Sequence, residues 1–393
     1  MDDKLDMAAI SRIVPEVTAI RRDIHAHPEL AYTEHRTAAI VAAQLRALGI
    51  TVTEGIGGTG LVGTLAKGSS PRSIGLRADM DALGFEEKTG LAWASTHPGV
   101  FHGCGHDGHT AMLLGAARFI KDTVDFDGVV HFIFQPAEEG SAGARAMIED
   151  GLFERFPCDE VYALHNWPEL PAGQFQTRAG PIMAAADRIG ITLTCRGGHA
   201  AQPHLTSDAL LAAADLVLQL NTIVSRRVPA HEAAVLSVTV VQGGTVHNVI
   251  PSQVRIMGTA RTFSREVQKR IERAVRDMVA GVAQSHGVDY ELDLDSYYPP
   301  TINAPQCAEK ALAAAAAVEG IEASVAPEPA FTSEDFSFML EAVPGAYCWL
   351  GQGVGVDAPA LHTPRYDFND DVTGHGIAWF ANLVRQQLGP QKA

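Results

Sequence analysis

Three short apolar runs limit what this chain can fold into: Ser73 to Arg77, Val129 to Phe134 and Glu160 to Leu164. Each is bounded by Gly, Pro or Asp and reads as a buried strand. Between them lie two stretches with helical character, His109 to Lys121 and Gly143 to Phe153. Strands alternating with helices predict an α/β domain around a largely parallel sheet. Each run also ends in polar residues: Arg77-Ala78-Asp79-Met80-Asp81, Gln135-Pro136-Ala137-Glu138-Glu139 and His165-Asn166-Trp167. In open α/β sheets the ligand crevice lies at the carboxyl ends of the strands. The three clusters are therefore expected along one edge of the sheet.

Residues 8–24 and 34–48 precede this core and read as helices, the second stopping at Gly49. The pattern changes near Pro181. Asp187 to Cys195 alternates apolar and polar, a helix is predicted from Ser207 to about Arg226, and strands follow at Ala234 to Gln242 and Val254 to Phe263. A helix over Arg265 to Ser285 and a strand over Val288 to Asp295 complete a β-α-β-β-α-β order, the ferredoxin-like motif. The expected organisation is a catalytic domain from 1–181 and 297–393, interrupted by a smaller inserted domain at 182–296. The return segment adds a helix near Ala304 to Glu319, a strand around Ala346 to Leu350 and a last helix from Asp371 to Leu388.

The densest concentration of reactive side chains is His102-Gly103-Cys104-Gly105-His106-Asp107-Gly108-His109. Glycines permit tight turns, so several ligands can converge. A thiolate and an imidazole suit zinc, manganese, nickel or cobalt; the alternative is a glycine-rich turn that opens a helix. His102 and His109 fit supporting roles better. Glu138 and Glu139 are adjacent at a strand end, where side chains point to opposite sides, so one could hold metal while the other faces substrate. A helix N-terminus would also favour acids there. His165 closes its strand level with the other clusters, and His362 sits in a loop rich in turn formers. Asp79 and Asp81 lie two apart and share a face, placed to orient a ligating histidine. In the inserted segment His199, in a glycine-rich turn, could donate to an oxyanion, and Asn248 and Arg261 could grip a carboxylate.

Composition narrows the class. The 393 residues carry a formal net charge of −16, are 46% hydrophobic, and contain no basic run, so nucleic acid and anionic membranes are poor partners. Neither a secretory start nor a membrane span is expected from the sequence. Five scattered cysteines argue against a disulfide framework and for a reducing cytoplasm; all but Cys104 are expected to be ordinary buried residues.

The motifs, taken together and in order, identify a resemblance. They are Arg22 to Leu30, Arg77 to Asp81, His102 to His109, Gln135 to Gly140, Leu164 to Asn166, Gly197 to Pro203, His247 to Pro251 and Leu361 to Phe368. The chain resembles, nearly end to end, the aminoacylase/hippurate hydrolase/auxin-conjugate hydrolase branch of the dinuclear metallopeptidase superfamily, which also includes carboxypeptidase G and acetylornithine deacetylase. The resemblance implies an aminopeptidase-like mixed sheet flanked by helices, with a ferredoxin-like α+β lid that mediates dimerisation. It implies two divalent ions per subunit held by Cys104, His106, Glu139, His165 and His362, with Glu138 as the general base that activates the attacking water. His199 would complete the site of the neighbouring subunit, and Asn248 would contact substrate. A cysteine where most of the superfamily has a carboxylate marks this branch. The implied activity is cleavage of N-acyl amino acids with acetyl, benzoyl or indoleacetyl groups, by a homodimer or a dimer of dimers. A dipeptidase or aminopeptidase with the same site is the alternative, and a metal-binding protein without catalysis is the non-enzymatic one, against which Glu138 argues.

Overall fold

The computed structural model describes residues 5–353, 355 and 358–390; Met1 to Lys4, part of the segment read above for a leader, lie outside them. By backbone contacts the chain divides into two compact units. One comprises Met1–Ile182, Ile302–Glu328 and Asp335–Ala393; the other comprises Met183–Thr301 and Pro329–Glu334.

The first unit is built on an eight-stranded mixed sheet. At its centre Ser73–Asp79 runs parallel to both Gly128–Gln135 and Glu160–Pro171, and the last of these runs parallel to Gly345–Gly353. The expected strands are present, each extended by a few residues. The sheet is less parallel than expected, because a hairpin that sequence reasoning missed, Thr51–Ile56 and Gly60–Lys67, adds antiparallel strands at one edge. Its glycines and small polar residues blur the period-2 signal. Short strands Gln174–Thr177 and Glu322–Val325 close the other edge.

Helices Met7–Ala26, His106–Thr123 and Thr373–Leu388 pack together beside this sheet. The middle one is buried on nearly every side, because Ala111, Leu113, Ala116 and Ile120 all belong to the core. Two helices are interrupted where single ones were expected. Gly143–Glu149 stops before Gly151, whose φ of 82° reverses the backbone ahead of Leu152–Arg155. Ala209–Leu220 breaks at Asn221 and Thr222 before Ile223–Arg227.

The second unit contains strands Ala185–Thr194, Ala234–Gly243, Gln253–Thr262 and Asp289–Tyr298 in one antiparallel sheet. Ile189, Ile191 and Leu193 share a core with Leu216 of Ala209–Leu220 and with Val275 and Val279 of the helix Arg265–His286. The order of elements is β-α-β-β-α-β, as the alternation predicts. Asp208 accepts hydrogen bonds from the backbone N–H of Leu210 and Leu211, and Ser264 from that of Val267, so both long helices start on a side-chain cap. Among the described residues no helix is long and apolar enough to cross a membrane.

Candidate metal centre

The polar strand ends of the first unit do converge. Past Asp79 the chain carries Asp81; past Gln135 it turns through Ala137, with φ 54°, into Glu138 and Glu139; and His165 lies within Glu160–Pro171. The two glutamates are not on extended backbone, as the sequence suggested. They open a short kinked turn, Glu138–Ser141, in which Glu139 itself is non-helical. Cys104 and His106 bracket Gly105, whose φ is 93°. A Cβ on Gly105 would stand 2.3 Å from Oδ1 of Asn166 and 2.5 Å from the Tyr366 hydroxyl, so only glycine fits at this start of the helix.

The ligand atoms of Cys104, His106 and His165 all lie within 4.8 Å of one another, and those of Cys104, Glu139 and His362 do likewise. Sγ of Cys104 is 3.5 Å from Nε2 of His165. Oε1 of Glu139 faces Nε2 of His362 at 3.1 Å and Nε2 of His106 at 3.9 Å. Glu138 shares a third such group with His106 and Glu139, and its Oε1 accepts the N–H of Asp335 at 3.3 Å. His362 has φ 59°, a strained conformation for a residue with a side chain, and its N–H is tied to the carbonyl of Gly103 at 2.8 Å.

Nε2 of His106, buried here, has no hydrogen-bond partner, and Oε1 of Glu139 makes no hydrogen bond beyond its close approach to His362. Buried polar atoms are normally paired. A set of one thiol, three imidazoles and a carboxylate with unpaired ligand atoms facing inward fits a divalent ion by its chemistry.

The electrostatics of the donor set point the same way. Burial, then the carboxylates of Glu139 and Glu138, push the Cys104 thiol well above its ordinary value. Burial and the neighbouring His109 hold His165 well below the usual imidazole range. Burial would lower His106 too, but Asp79 and Asp81 outweigh it and raise the imidazole to about 10. A cation bound there would displace the thiol proton.

A second ring of residues holds the ligands. Asp81 does the most: Oδ1 meets Nδ1 of His106 at 3.2 Å and accepts the N–H of Glu138 at 3.0 Å, while Oδ2 accepts the N–H of Glu139 at 2.9 Å. Asp79 meets Nδ1 of His109 at 2.6 Å. The other nitrogen of His109 lies 2.6 Å from Oδ1 and 3.1 Å from the backbone nitrogen of Asn166, so both of its ring nitrogens face protein partners, although it also forms a candidate ligand group with Asp79 and His106. Arg77, buried, joins Asp79, Gln135 and Asp335. Beneath the helix start, Asp107 meets Nδ1 of His25 at 2.8 Å and the Arg21 guanidinium at 3.4 Å. Burial lowers the His25 imidazole, but Asp107 and Glu87 more than compensate and bring it to about 9. Sequence reasoning missed Asp335 and the Arg21–Asp107–His25 chain. Asp335 sits in an unremarkable Ser-Glu-Asp-Phe stretch, and Arg21 is one helical turn from His25 with nothing local to mark their common partner.

The remaining predicted residues lie in the second unit. His199 is exposed on the two-residue strand Gly198–His199, which pairs with Val249–Ile250. Asn248 is exposed beside it and accepts the N–H of Ala200 through its carbonyl at 3.0 Å. Arg261 is separate from them, on the four-stranded sheet, with Nη1 bonded to the Ala260 carbonyl at 2.9 Å and to the Thr259 hydroxyl. Of the cysteines all five are free; Cys307 and Cys348 are buried as expected, whereas Cys158 and Cys195 are only partly so.

Residues 75–386 match the sequence profile of Peptidase family M20/M25/M40. The chain belongs to this family. It is a hydrolase of amide bonds. It is 38% identical over 374 residues to the hippurate hydrolase of Campylobacter jejuni, covering 95% of this chain and 97% of the relative. It is 35% identical over 384 residues to the IAA-amino acid hydrolase ILR1-like 4 of Arabidopsis thaliana, covering 96% and 87%. Among solved structures it is similar to the Bacillus subtilis YXEP protein, described as a dinuclear metal binding peptidase from the M20 family, with a TM-score of 0.82, 31% identity, and coverage of 95% and 98%.

Proposed function

We propose that this M20-family chain is a metal-dependent amidohydrolase that cleaves N-acyl amino acids, with acetyl, benzoyl or indoleacetyl groups, to a carboxylate and a free amino acid. The convergence of Cys104, His106, Glu139, His165 and His362 beside Glu138 carries this reading. Cys104 belongs to two groups of three candidate ligands, and together these residues would hold divalent ions such as zinc, manganese, nickel or cobalt. The dinuclear relative and the hippurate and IAA-amino acid hydrolases support the same reading. Bound divalent ions would supply Lewis-acid polarisation of the scissile carbonyl and lower the pKa of water.

The chain's own residues do the rest. Asp81 holds the Nδ1 proton of His106, so Nε2 is the nitrogen that would be left to a bound ion once that ion displaces its proton. Glu138, held by the backbone of Asp335, takes the proton of the attacking water and passes it to the leaving amine nitrogen. In this reading His199 donates to the developing oxyanion of a partner subunit's site, Asn248 and Arg261 hold the substrate carboxylate, the second unit acts as lid and dimer contact, and the enzyme works in the cytoplasm, where free thiols persist.

The test is a panel of N-acyl amino acids and free dipeptides, run with each ion on the wild type and on Glu138→Gln. The expected result is N-acyl preference and a variant that keeps its metal while losing about 10²–10⁴-fold in kcat. Preference for dipeptides, or near-normal turnover by Glu138→Gln, would overturn the reading.

A further inference from the structure

Beside the ligand cluster stands a feature that the chemistry above does not use. Trp167 and Trp349 are stacked, ring centroids 4.4 Å apart and planes at 23°. In the parallel pairing of their strands, Trp349 lies opposite His165 and Gly351 opposite Trp167. His165 and Trp167 are two apart, so their side chains leave the same face of the sheet. Gly351 offers no side chain there; a Cβ would stand 2.1 Å from the Pro171 carbonyl oxygen. The Trp167 ring is thus free to lean across to Trp349. It also lies edge-on to the His165 ring, with centroids 6.4 Å apart, and Nε2 of His165 is 3.5 Å from Sγ of Cys104.

The two indoles are not equivalent. Trp349 is buried at 4% exposure and its Nε1 makes no hydrogen bond, whereas Trp167 is only half-buried. A pair serving the core alone would be enclosed on both sides. Here one indole is the support and the other is a partly open apolar face one ring away from the metal ligands. Aromatic rings prefer offset stacking or edge contact with a second flat ring; a methyl group has no face to offer.

We propose that Trp167, backed by Trp349, is the wall that receives a flat aryl acyl group and sets the preference of this site for aromatic over small acyl groups. The inference rests on the amidohydrolase reading above.

The test compares kcat/KM for N-benzoylglycine and N-acetylglycine in the wild type, Trp167→Phe, Trp167→Leu and Trp167→Ala, each with its metal content measured. The benzoyl-to-acetyl ratio should be largely kept in Trp167→Phe and fall about tenfold in Trp167→Ala, the size of one aromatic contact. Trp167→Leu, which keeps apolar volume, should fall with Trp167→Ala. A ratio unchanged in every variant overturns the proposal. So does a change that appears only when N-acetylglycine is compared with N-acetylphenylalanine, because the wall would then serve the amino-acid side. A benzoate titration followed by calorimetry needs no turnover and does not use Trp167 as its reporter. A saturable change lost in Trp167→Ala supports the wall, and its absence in the wild type overturns it. If the wild type cleaves neither amide, the amidohydrolase reading fails, and the titration still decides the wall.

Discussion

Among single residues, Asp81 carries more of the site than any ligand does. One carboxylate fixes the ring of His106 and the backbone N–H groups of both Glu138 and Glu139. It therefore sets the tautomer of one proposed ligand and the positions of another ligand and the proposed base. Removing its charge keeps the shape but weakens three charge-assisted hydrogen bonds at once. Asp81→Asn is expected to weaken divalent-ion binding about 10–100-fold, the usual effect of losing a group that orients a ligand, and to lower kcat even at saturating metal, because Glu138 loses its anchor. Competition with a fluorescent chelator and turnover at saturating metal would measure the two effects separately. Unchanged affinity would mean that the Asp81 carboxylate does not set the orientation of His106.

At the scale of elements, the strand Gly128–Gln135 carries a titration with a predictable sign. His131 is buried opposite Thr64 of the neighbouring strand, whose hydroxyl lies 3.0 Å from its Nδ1. Burial lowers its imidazole to about 4, below the value of about 6.5 in an unfolded chain. Between those values the unfolded chain binds a proton that the folded strand excludes. The contribution is therefore complete above pH 6.5 and is lost as the pH falls toward 4, by about 1.4 kcal/mol per unit and about 3 kcal/mol in all. His131→Asn should flatten that part of the acid limb, read as the shift in urea midpoint between pH 7 and pH 5. An identical shift in wild type and variant would remove His131 from the account. His131 also shows how far the sequence could be read. The strand was legible because Val129 to Phe134 is a continuous apolar run; the histidine's burial was not, because it depends on the unread hairpin strand beside it. The same contrast holds at the site. Cys104, His106 and Glu139 announce themselves through motif context. The turn that aims Glu138 and Glu139 does not, because it follows from Ala137 at positive φ, held by its N–H bond to Glu34, a contact that spans a hundred residues.

For the whole molecule, the exposed apolar residues of the second unit bear on how many chains make one enzyme. Its helix Ala209–Leu220 leaves Leu211 and Leu218 exposed at 60% and 71%. They are seven residues apart and so share one face. The strand Ala234–Gly243 is an edge strand, paired only with Gln253–Thr262 in its sheet, and it exposes Val235 and Val241. An exposed apolar edge strand and an exposed apolar helix face are each a liability in a monomer. A second copy of the chain would cover both, in keeping with the proposal that His199 serves a partner's site. Leu218→Glu should therefore shift the protein toward monomer in sedimentation at micromolar concentration. If His199 acts within its own chain, that monomer keeps its turnover. If it acts across the pair, turnover falls with dissociation, and mixing inactive His199→Ala with inactive Glu138→Ala restores part of it, because one of the two sites in each mixed dimer then has both residues intact. Confirmed mixed dimers without recovery would assign His199 to its own subunit or to no catalytic role.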